Sequence, residues 1–394
     1  MAGVSLPQAA WRTGQELHAL CQALDGSARF VGGAVRDTLV GQEPKDVDLA
    51  TPLAPTDVID RLKAAGIKVV PTGLAHGTVT AVLSSGPVEV TTLRRDVSTD
   101  GRRATIAFTD DWQADAARRD FTINALFADP ATSEIFDYFG GVDDLKAGMV
   151  RFIGEPVQRI AEDHLRILRY FRFHARFGHG APHVASLEAC AARANDLMAL
   201  SRERIALEIV ALLNLADPAP VIALMLDHGI LRPVLPEIKE AQRLGALVKR
   251  EAGRFPAEPM RRLAALLPPD PALAEAVANR LKLSNANRKR LMVLAARADT
   301  DVSKPKVLAY RIGLEAARDR ILLGGGDPAI LEQWVPPRFP MSGGALVARG
   351  IKAGPAVARL LQQIETAWID AGFPNQAGLA ALVDAALAAE RSGQ

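Results

Sequence analysis

The sequence predicts an α+β head followed by an all-α remainder. Over roughly the first 140 residues, short β-branched runs alternate with glycine turns and a few helical stretches. From Val157 onward nearly every segment repeats its apolar residues at helical spacing. Alanine is abundant and aromatics make up only 5% of the 394 residues, which leans the whole chain toward helix.

The elements follow in order. Residues 13–25 read as an amphipathic helix, and Ala28 to Val31 as a short strand ending in a glycine turn. G-A-V-R-D-T-L-V-G then opens a helix that Gly41 stops. Val47 to Ala50, Val69 to Pro71, Thr78 to Leu83 and Val88 to Leu93 read as strands, the last of these closing the head's sheet. Arg94 to Asp115 is polar and reads as a long loop with one strand at Ala104–Phe108. Pro and Gly clusters at 217–220, 267–271 and 335–344 divide the helical remainder. There is no repeat of fixed period.

A content of 49% hydrophobic and 23% charged residues is that of a folded chain, long enough for two or three domains. No apolar run approaches the ~20 residues needed to span a bilayer, and the N-terminus has no basic segment leading into an apolar core. A membrane partner is therefore not expected, and nothing in the sequence calls for an obligate protein partner. Cys21 and Cys190 lack metal-ligand spacing and suit free thiols in a reducing cytoplasm. A net charge of +2 permits a nucleic-acid partner without demanding one.

The informative segment is FVGGAVRDTLVGQEPKDVDLAT, residues 30–51. Gly32 and Gly33 leave a strand and open a helix, a place where bare backbone N–H groups favour phosphate. Arg36 follows on the first turn, where a guanidinium suits a triphosphate oxygen. In D-V-D, Asp46 and Asp48 share one face while Val47 and Leu49 take the other. Two carboxylates that close repel unless a cation sits between them, and an oxygen pair of this kind suits Mg²⁺. Glu89, in VEVTTLRRD, points away from Val88 and Val90 and offers a third carboxylate, although a surface role explains it equally well. Three such groups suit two metal ions that clamp the attacking oxygen and the leaving pyrophosphate.

In RRDFTINALFAD, Asp120 reads as the N-cap of a helix beginning at Phe121, with Arg118 and Arg119 in front of it. One of these arginines reaches phosphate and the other pairs with acid. EDHLRILRYFRFHARF, residues 162–177, reads as one helix with Asp163, Arg166, Arg169 and Arg172 at steps of three. Aspartate offers only acceptors and arginine only donors. Cytosine and adenine both present an amino donor beside a ring-nitrogen acceptor, whereas guanine and uracil present the reverse order. An Asp163–Arg166 pair on that edge accepts C and A and rejects G and U. The bland alternative is an exposed i, i+3 salt bridge.

With these residues in hand, the chain resembles the class II tRNA nucleotidyltransferases and their relatives, the bacterial poly(A) polymerases, of the polymerase-β-like superfamily. The likeness runs through VGGAVRD…DVDLAT, RRDFTINAL, GGVDDLKAGMVRFIGEP, EDHLRILRYFRFHARF and SRERIALEI, covering residues 30–209, and more loosely through SGGALVARGIKAGPAVARLL. It implies CCA addition to tRNA from CTP and ATP. It implies metal ligation by Asp46 and Asp48, nucleotide contacts by Gly33, Arg36 and Arg119, and Asp120 near the ribose. Asp163, Arg166, Arg169 and Arg172 are implied to read base and phosphates. It also implies a head at 1–140, a neck at 141–215, and a body and tail at 216–394 that grip tRNA. The body's basic runs agree: residues 239–262 hold seven Lys/Arg against three Glu, and 280–290 hold five with no acid.

Among relatives, a poly(A) polymerase usually carries a Gly-Arg-Arg/Lys-Phe element where this chain has PTGLAHGTVTAV. A CC-only enzyme lacks part of the loop after the glutamate strand, and here Arg94 to Ala117, with Asp96, Asp100, Gly101 and Arg102, looks complete. Intact Asp46 and Asp48 argue against a non-catalytic RNA-binding protein.

Overall fold

The β-branched runs of the first half pair into one mixed sheet, and the pairing explains which residues face the site. The computed structural model describes residues 4–100 and 103–392, with backbone alone for 96–100, 103–106 and 391–392. Its strands are β1 (Arg29–Val31), β2 (Val47–Thr51), β3 (Lys68–Gly73), β4 (Thr78–Leu83), β5 (Gly86–Thr92), β6 (Arg94–Asp100), β7 (Arg103–Phe108), β8 (Leu126–Ala128) and β9 (Ile135–Asp137). Seven of them form a sheet in the order β3-β4-β5-β2-β1-β8-β9. Only β2 and β5 run parallel, which sets Asp48 directly beside Glu89 and Leu49 beside Val90.

Helices α1 (Gln15–Ala23), α2 (Gly33–Leu39) and α3 (Pro55–Ala64) accompany these strands. Leu20, Phe30, Leu49, Leu62, Val79 and Val90 fill the core on one sheet face. Val31, Ala50, Leu93, Ala125 and Phe127 form a second core on the other. The period of two along a strand therefore puts Asp48 and Glu89 on the second face, as the alternation predicts.

Several expectations need correction. Glu89 does not lie on the head's last strand, since β8 and β9 extend the sheet beyond β1. The expected loop after Leu93 is a hairpin of β6 and β7 followed by α4 (Trp112–Ala117), capped by Asp111. The expected strand at Ala104–Phe108 is β7, while the polar run of β6 hid its partner, because the two pair with each other and not with the seven-stranded sheet. Gly101 and Arg102 lie outside the described residues. Asp120 does not cap an α-helix: Phe121 pairs with Phe152 in a β-bridge, and only a 3₁₀ turn, Thr122–Asn124, follows.

The neck begins with α5 (Gly141–Lys146) and α6 (Pro156–Glu162), and the predicted helix over 162–177 is broken at Asp163. Asp163 is extended (φ −154°, ψ 105°), and its Oδ1 accepts the Leu165 N–H at 3.1 Å. That local bond competes with helix continuation. The chain resumes as α7 (Arg166–Phe177), followed by α8 (Val184–Ala192), α9 (Arg202–Leu213) and α10 (Ala219–Asp227). Phe121 meets Phe152 at 5.0 Å and Phe173 at 5.3 Å between ring centroids, so an aromatic cluster seats α7 against the head. All of this belongs to one compact unit, residues 1–238.

Residues 239–394 form a second unit. It comprises α11 (Gln242–Glu251), α12 (Pro259–Leu266), α13 (Pro271–Arg280), α14 (Asn285–Ala295), α15 (Thr300–Ser303), α16 (Pro305–Ile312), α17 (Leu314–Leu323), α18 (Gly343–Ala348), α19 (Pro355–Asp370) and α20 (Gln376–Ser392). Leu346, Leu360, Ile364, Trp368, Leu379 and Val383 give the last three helices their own core. Much of the basic character expected to face phosphate is used internally. Arg261 and Arg262 are buried and both bond to Glu251, while Arg261 and Arg290 both bond to Asp319. Lys239, Arg243, Lys249 and Lys289 remain exposed. No helix among the described residues is long and apolar enough to cross a membrane.

Glu251 is 1% exposed and accepts from Arg261 Nε at 2.6 Å and Arg262 Nε at 2.8 Å. Glu251→Ala takes that acceptor from two buried guanidinium groups, so it should cost about 3–5 kcal/mol. Denaturant unfolding of the full chain checks this, and a loss below about 1 kcal/mol would mean that the network is dispensable.

Candidate active site

A cavity of about 350 Å³ opens where head and neck meet. Helix α2 and the turn before it contribute Gly32, Gly33 and Arg36. The segment after α4 contributes Arg119, Asp120 and Asn124, and the neck contributes Asp163, Arg166, Arg169 and Phe173. The structure thus gathers eight residues singled out from sequence, drawn from three separate segments. Asn124 and Phe173 are additions. Both sat inside the quoted motifs, but only the 3₁₀ turn and the placement of α7 aim them inward.

Gly32 has φ 62° and ψ −112°, a conformation that L side chains avoid. A Cβ there would also stand 3.3 Å from Arg119 Nη1, so glycine lets that guanidinium approach the turn. Arg36 is nearly buried, with Nε donating to Asp37 Oδ1 at 2.8 Å and Nη1 to Asn124 Oδ1. Asp115 takes Arg118 at 2.7 Å and Arg119 at 3.0 Å, so a single buried acid holds both arginines, and of the two only Arg119 lines the cavity.

Asp120 accepts from Phe121 N–H and Asn124 Nδ2 on one oxygen, each at 2.9 Å, and from Arg169 Nη2 at 2.6 Å on the other. Burial alone would raise its carboxyl, yet the Arg169 charge and these hydrogen bonds hold it below the usual carboxylate range.

Asp163 and Arg166 both line the cavity but do not pair with each other. Asp163 Oδ2 accepts from Arg204 Nη2 of α9 at 2.7 Å. Arg166 bonds to the Glu162 carboxylate and donates to the Arg159 carbonyl at 2.7 Å and the Arg118 carbonyl at 3.2 Å. The exposed i, i+3 salt bridge is therefore not what these residues form. Arg172 is the one nucleotide-reading candidate outside the cavity lining; its Nε donates to Glu208 at 2.6 Å and its guanidinium covers Phe173 at 4.7 Å.

The acids of the sheet behave differently from those of the cavity. Asp46 and Glu89 are exposed and Asp48 is half-buried. None of the three has an ion-pair partner among the described residues. Burial, with repulsion from Glu89 and Asp46 added and Arg119 opposing, raises the Asp48 carboxyl from 3.8 to about 6. Among the described residues no three acids or histidines converge tightly enough to enclose an ion, so the expected three-carboxylate cluster is open. Unpaired, mutually repelling carboxylates nonetheless suit a hard divalent cation, which would relieve the repulsion that raises Asp48.

Comparison with known proteins meets this geometry. Residues 28–151 match the Poly A polymerase head domain, and residues 183–242 match the probable RNA and SrmB-binding site of polymerase A. The chain is 38% identical over 365 residues to the mouse (Mus musculus) mitochondrial CCA tRNA nucleotidyltransferase 1, covering 88% of this chain and 83% of that protein. This chain belongs to the CCA tRNA nucleotidyltransferase family. It is 31% identical to the CCA-adding enzyme of Streptococcus sanguinis, over 88% of this chain and 90% of that one. The solved CCA-adding enzyme of Bacillus stearothermophilus in complex with CTP superposes with a TM-score of 0.73 at 27% identity, covering 96% of this chain and 98% of that one. As a nucleotidyltransferase of this family the chain uses a divalent metal.

Sequence reasoning missed the partners that aim the cavity's groups. Arg204 and Glu208 lie in SRERIALEI, whose i, i+4 spacing puts a cation and an acid on one helix face. That spacing was the available signal.

The raised Asp48 pKa has a direction that can be tested. In metal-free protein the fold favours the neutral acid, so this group's contribution to stability is present below pH 3.8 and lost as pH rises to about 6. A bound cation requires the ionised form, so divalent-metal affinity should fall as pH drops through about 6. Calorimetric titration of Mg²⁺ across that range checks it, with Asp48→Asn expected to flatten the dependence. A parent protein whose affinity is already flat there does not use Asp48 as a ligand.

Proposed function

We propose that this chain adds C, C and A to the 3′ end of tRNA, using CTP and ATP, releasing pyrophosphate and needing no nucleic-acid template. One observation carries the reading: a single cavity holds both phosphate-type groups, Arg36 and Arg119, and a donor–acceptor pair for a base edge, Asp163 and Arg166. Relatives at 31–38% identity that bear the CCA-adding name support it.

In this reading Gly32 and Gly33 let backbone approach the nucleotide, and Arg36 and Arg119 take its triphosphate. Asp120, its oxygens shared among Asn124, Arg169 and the Phe121 N–H, holds those groups beside the ribose. Arg204 fixes one oxygen of Asp163, and that carboxylate keeps lone pairs for the amino group of C or A. Three acceptors hold Arg166 with its donors toward N3 or N1. Arg172 backs the aromatic wall through Phe173. Asp46 and Asp48 hold Mg²⁺, with Glu89 as the neighbouring third carboxylate. Metal ions there supply Lewis acidity for the attacking 3′-hydroxyl and the leaving pyrophosphate.

Residues 1–140 form the catalytic head, 141–215 the neck, and 216–394 the body and tail that grip tRNA by its backbone. The exposed Lys239, Arg243, Lys249 and Lys289 suit phosphate contact. The turn at Leu74–His76 and Gly77, in place of an arginine-rich element, favours CCA addition over poly(A) synthesis. The β6–β7 hairpin favours retention of terminal A addition over a CC-only product. Free Cys21 and Cys190 suit a cytoplasmic setting.

Asp46→Ala or Asp48→Ala should abolish transfer while leaving the unfolding midpoint near that of the parent, because metal ligation is lost and core packing is not. Near-normal turnover in Mg²⁺ by either variant would defeat the metal assignment. For base reading, kcat/KM is measured for all four nucleotides on tRNA ending just before CCA. Asp163→Ala should relax exclusion of UTP and GTP by about tenfold to a hundredfold, the value of one hydrogen bond to a charged group. Arg166→Ala should do the same from the other side. Unchanged discrimination in both variants would leave base selection to other residues.

A further inference from the structure

Asp37, from the first motif, plays no part in the chemistry above, yet it lies between two guanidinium groups and is only 4% exposed. Its Oδ1 accepts from Arg36 Nε at 2.8 Å and Nη2 at 2.7 Å. Its Oδ2 accepts from Arg176 Nη2 at 2.9 Å. Arg36 reaches it from α2, and Arg176 from the last turn of α7, 139 residues away. Arg36 lines the cavity, whereas Arg176 does not. The second bond of Arg176 runs to Gln42 Oε1 at 3.1 Å, on the outer side.

Counting charge over this group shows what Arg176 does. Arg36 and Asp37 by themselves form a neutral buried pair, which offers an incoming polyanion a dipole and no net charge. Arg176 adds one positive charge from behind, so the three residues together present +1 toward the cavity. Arg36 and Asp37 are buried and Arg176 is half-buried, so the charges are only partly screened and an added one is felt across several ångströms. The geometry around Arg36 is fixed independently by Asn124 Oδ1 and by the rings of Phe177 and Phe173, at 4.4 and 5.1 Å. Arg176 is therefore not needed to aim Arg36. Its effect on that residue is electrostatic.

We infer that Arg176 is a positioning residue for nucleotide binding, one that offsets Asp37 from outside the cavity and leaves the charge of Arg36 available to the triphosphate. The inference rests on the reading that Arg36 contacts the triphosphate. Because the effect concerns the phosphates, it is the same for CTP and ATP and leaves base discrimination unchanged.

The full-length protein is assayed for KM and kcat with CTP and with ATP on tRNA, and for equilibrium binding of CTP. Arg176→Gln raises both KM values about three- to tenfold, the size expected for one partly screened charge, with kcat changed less than about twofold. Arg176→Lys restores most of the loss. The deciding variant is the double substitution Asp37→Asn with Arg176→Gln. It returns the cluster to +1, and the new amide oxygen still accepts from Arg36, so KM recovers toward the parent value. A double variant as impaired as the single one, or more so, overturns the charge account. So does an Arg176→Gln enzyme that loses kcat equally for every nucleotide together with thermal stability, since the ion pair then only supports the fold. A parent protein that neither binds CTP nor extends tRNA instead overturns the functional reading itself, because it carries the whole cluster intact.

Discussion

The ion pair between Arg169 and Asp120 joins α7, which carries Arg166 and Arg169, to the head that carries the metal-ligand candidates. The contact is 2.6 Å, with Asp120 8% exposed and Arg169 half-buried, so the carboxylate depends on the arginine in place of water. Burial would lower the Arg169 pKa, but Asp120 and Glu208 keep it raised, and the aspartate is held ionised in return. The charged form of the pair is thus favoured on both sides, and Arg169 Nε and Nη2 both donate to Asp120 Oδ2, at 2.8 and 2.6 Å, which ties α7 to the head. Phe121, Phe152 and Phe173 close the apolar space beside it.

Around that pair the cavity repeats one device. Each arginine that faces the cavity is held by an acid: Arg36 by Asp37, Arg119 by Asp115 and Arg166 by Glu162, all three outside the cavity lining, and Arg169 by Asp120, which lines the cavity with it. Asp163 is the mirror case, an acid at the cavity held by Arg204. An arginine has more donors than one carboxylate can use, so a held guanidinium keeps N–H groups for a ligand while losing its freedom to swing. Asp46, Asp48 and Glu89 are left without such partners. The same protein thus presents two kinds of charge arrangement, paired charges around the cavity and unpaired carboxylates on the sheet.

Local sequence pattern was enough wherever the physics is local. The glycine pair, the helix of Arg36 and the two-residue alternation that sets Asp46 and Asp48 against Val47 and Leu49 each depend on a few neighbouring residues, and each was legible. The hairpin of β6 and β7 was half legible, because Ala104, Ile106 and Phe108 alternate along β7 while the polar run of β6 has no such alternation to reveal it. The break at Asp163 was not, because a single side chain bonding to the Leu165 N–H interrupts a stretch whose helical period continues on both sides. Basic runs in the body misled for a related reason: composition counts charges but cannot say that Arg261 and Arg262 turn inward onto Glu251.

The sequence by itself determined the α+β head and helical remainder, and the identity of the carboxylates and most of the arginines that the candidate site brings together. Residue type and spacing suffice for these, since they rest on backbone periodicity and on what each side chain can donate or accept. Tertiary structure alone decided which charge faces which. Arg204 meets Asp163 across 41 residues, Arg169 meets Asp120 across 49, and Arg176 meets Asp37 across 139. These bonds depend on how α7 meets α2 and the segment around Asp120, and how α9 packs on α7, and no short window of sequence contains both partners.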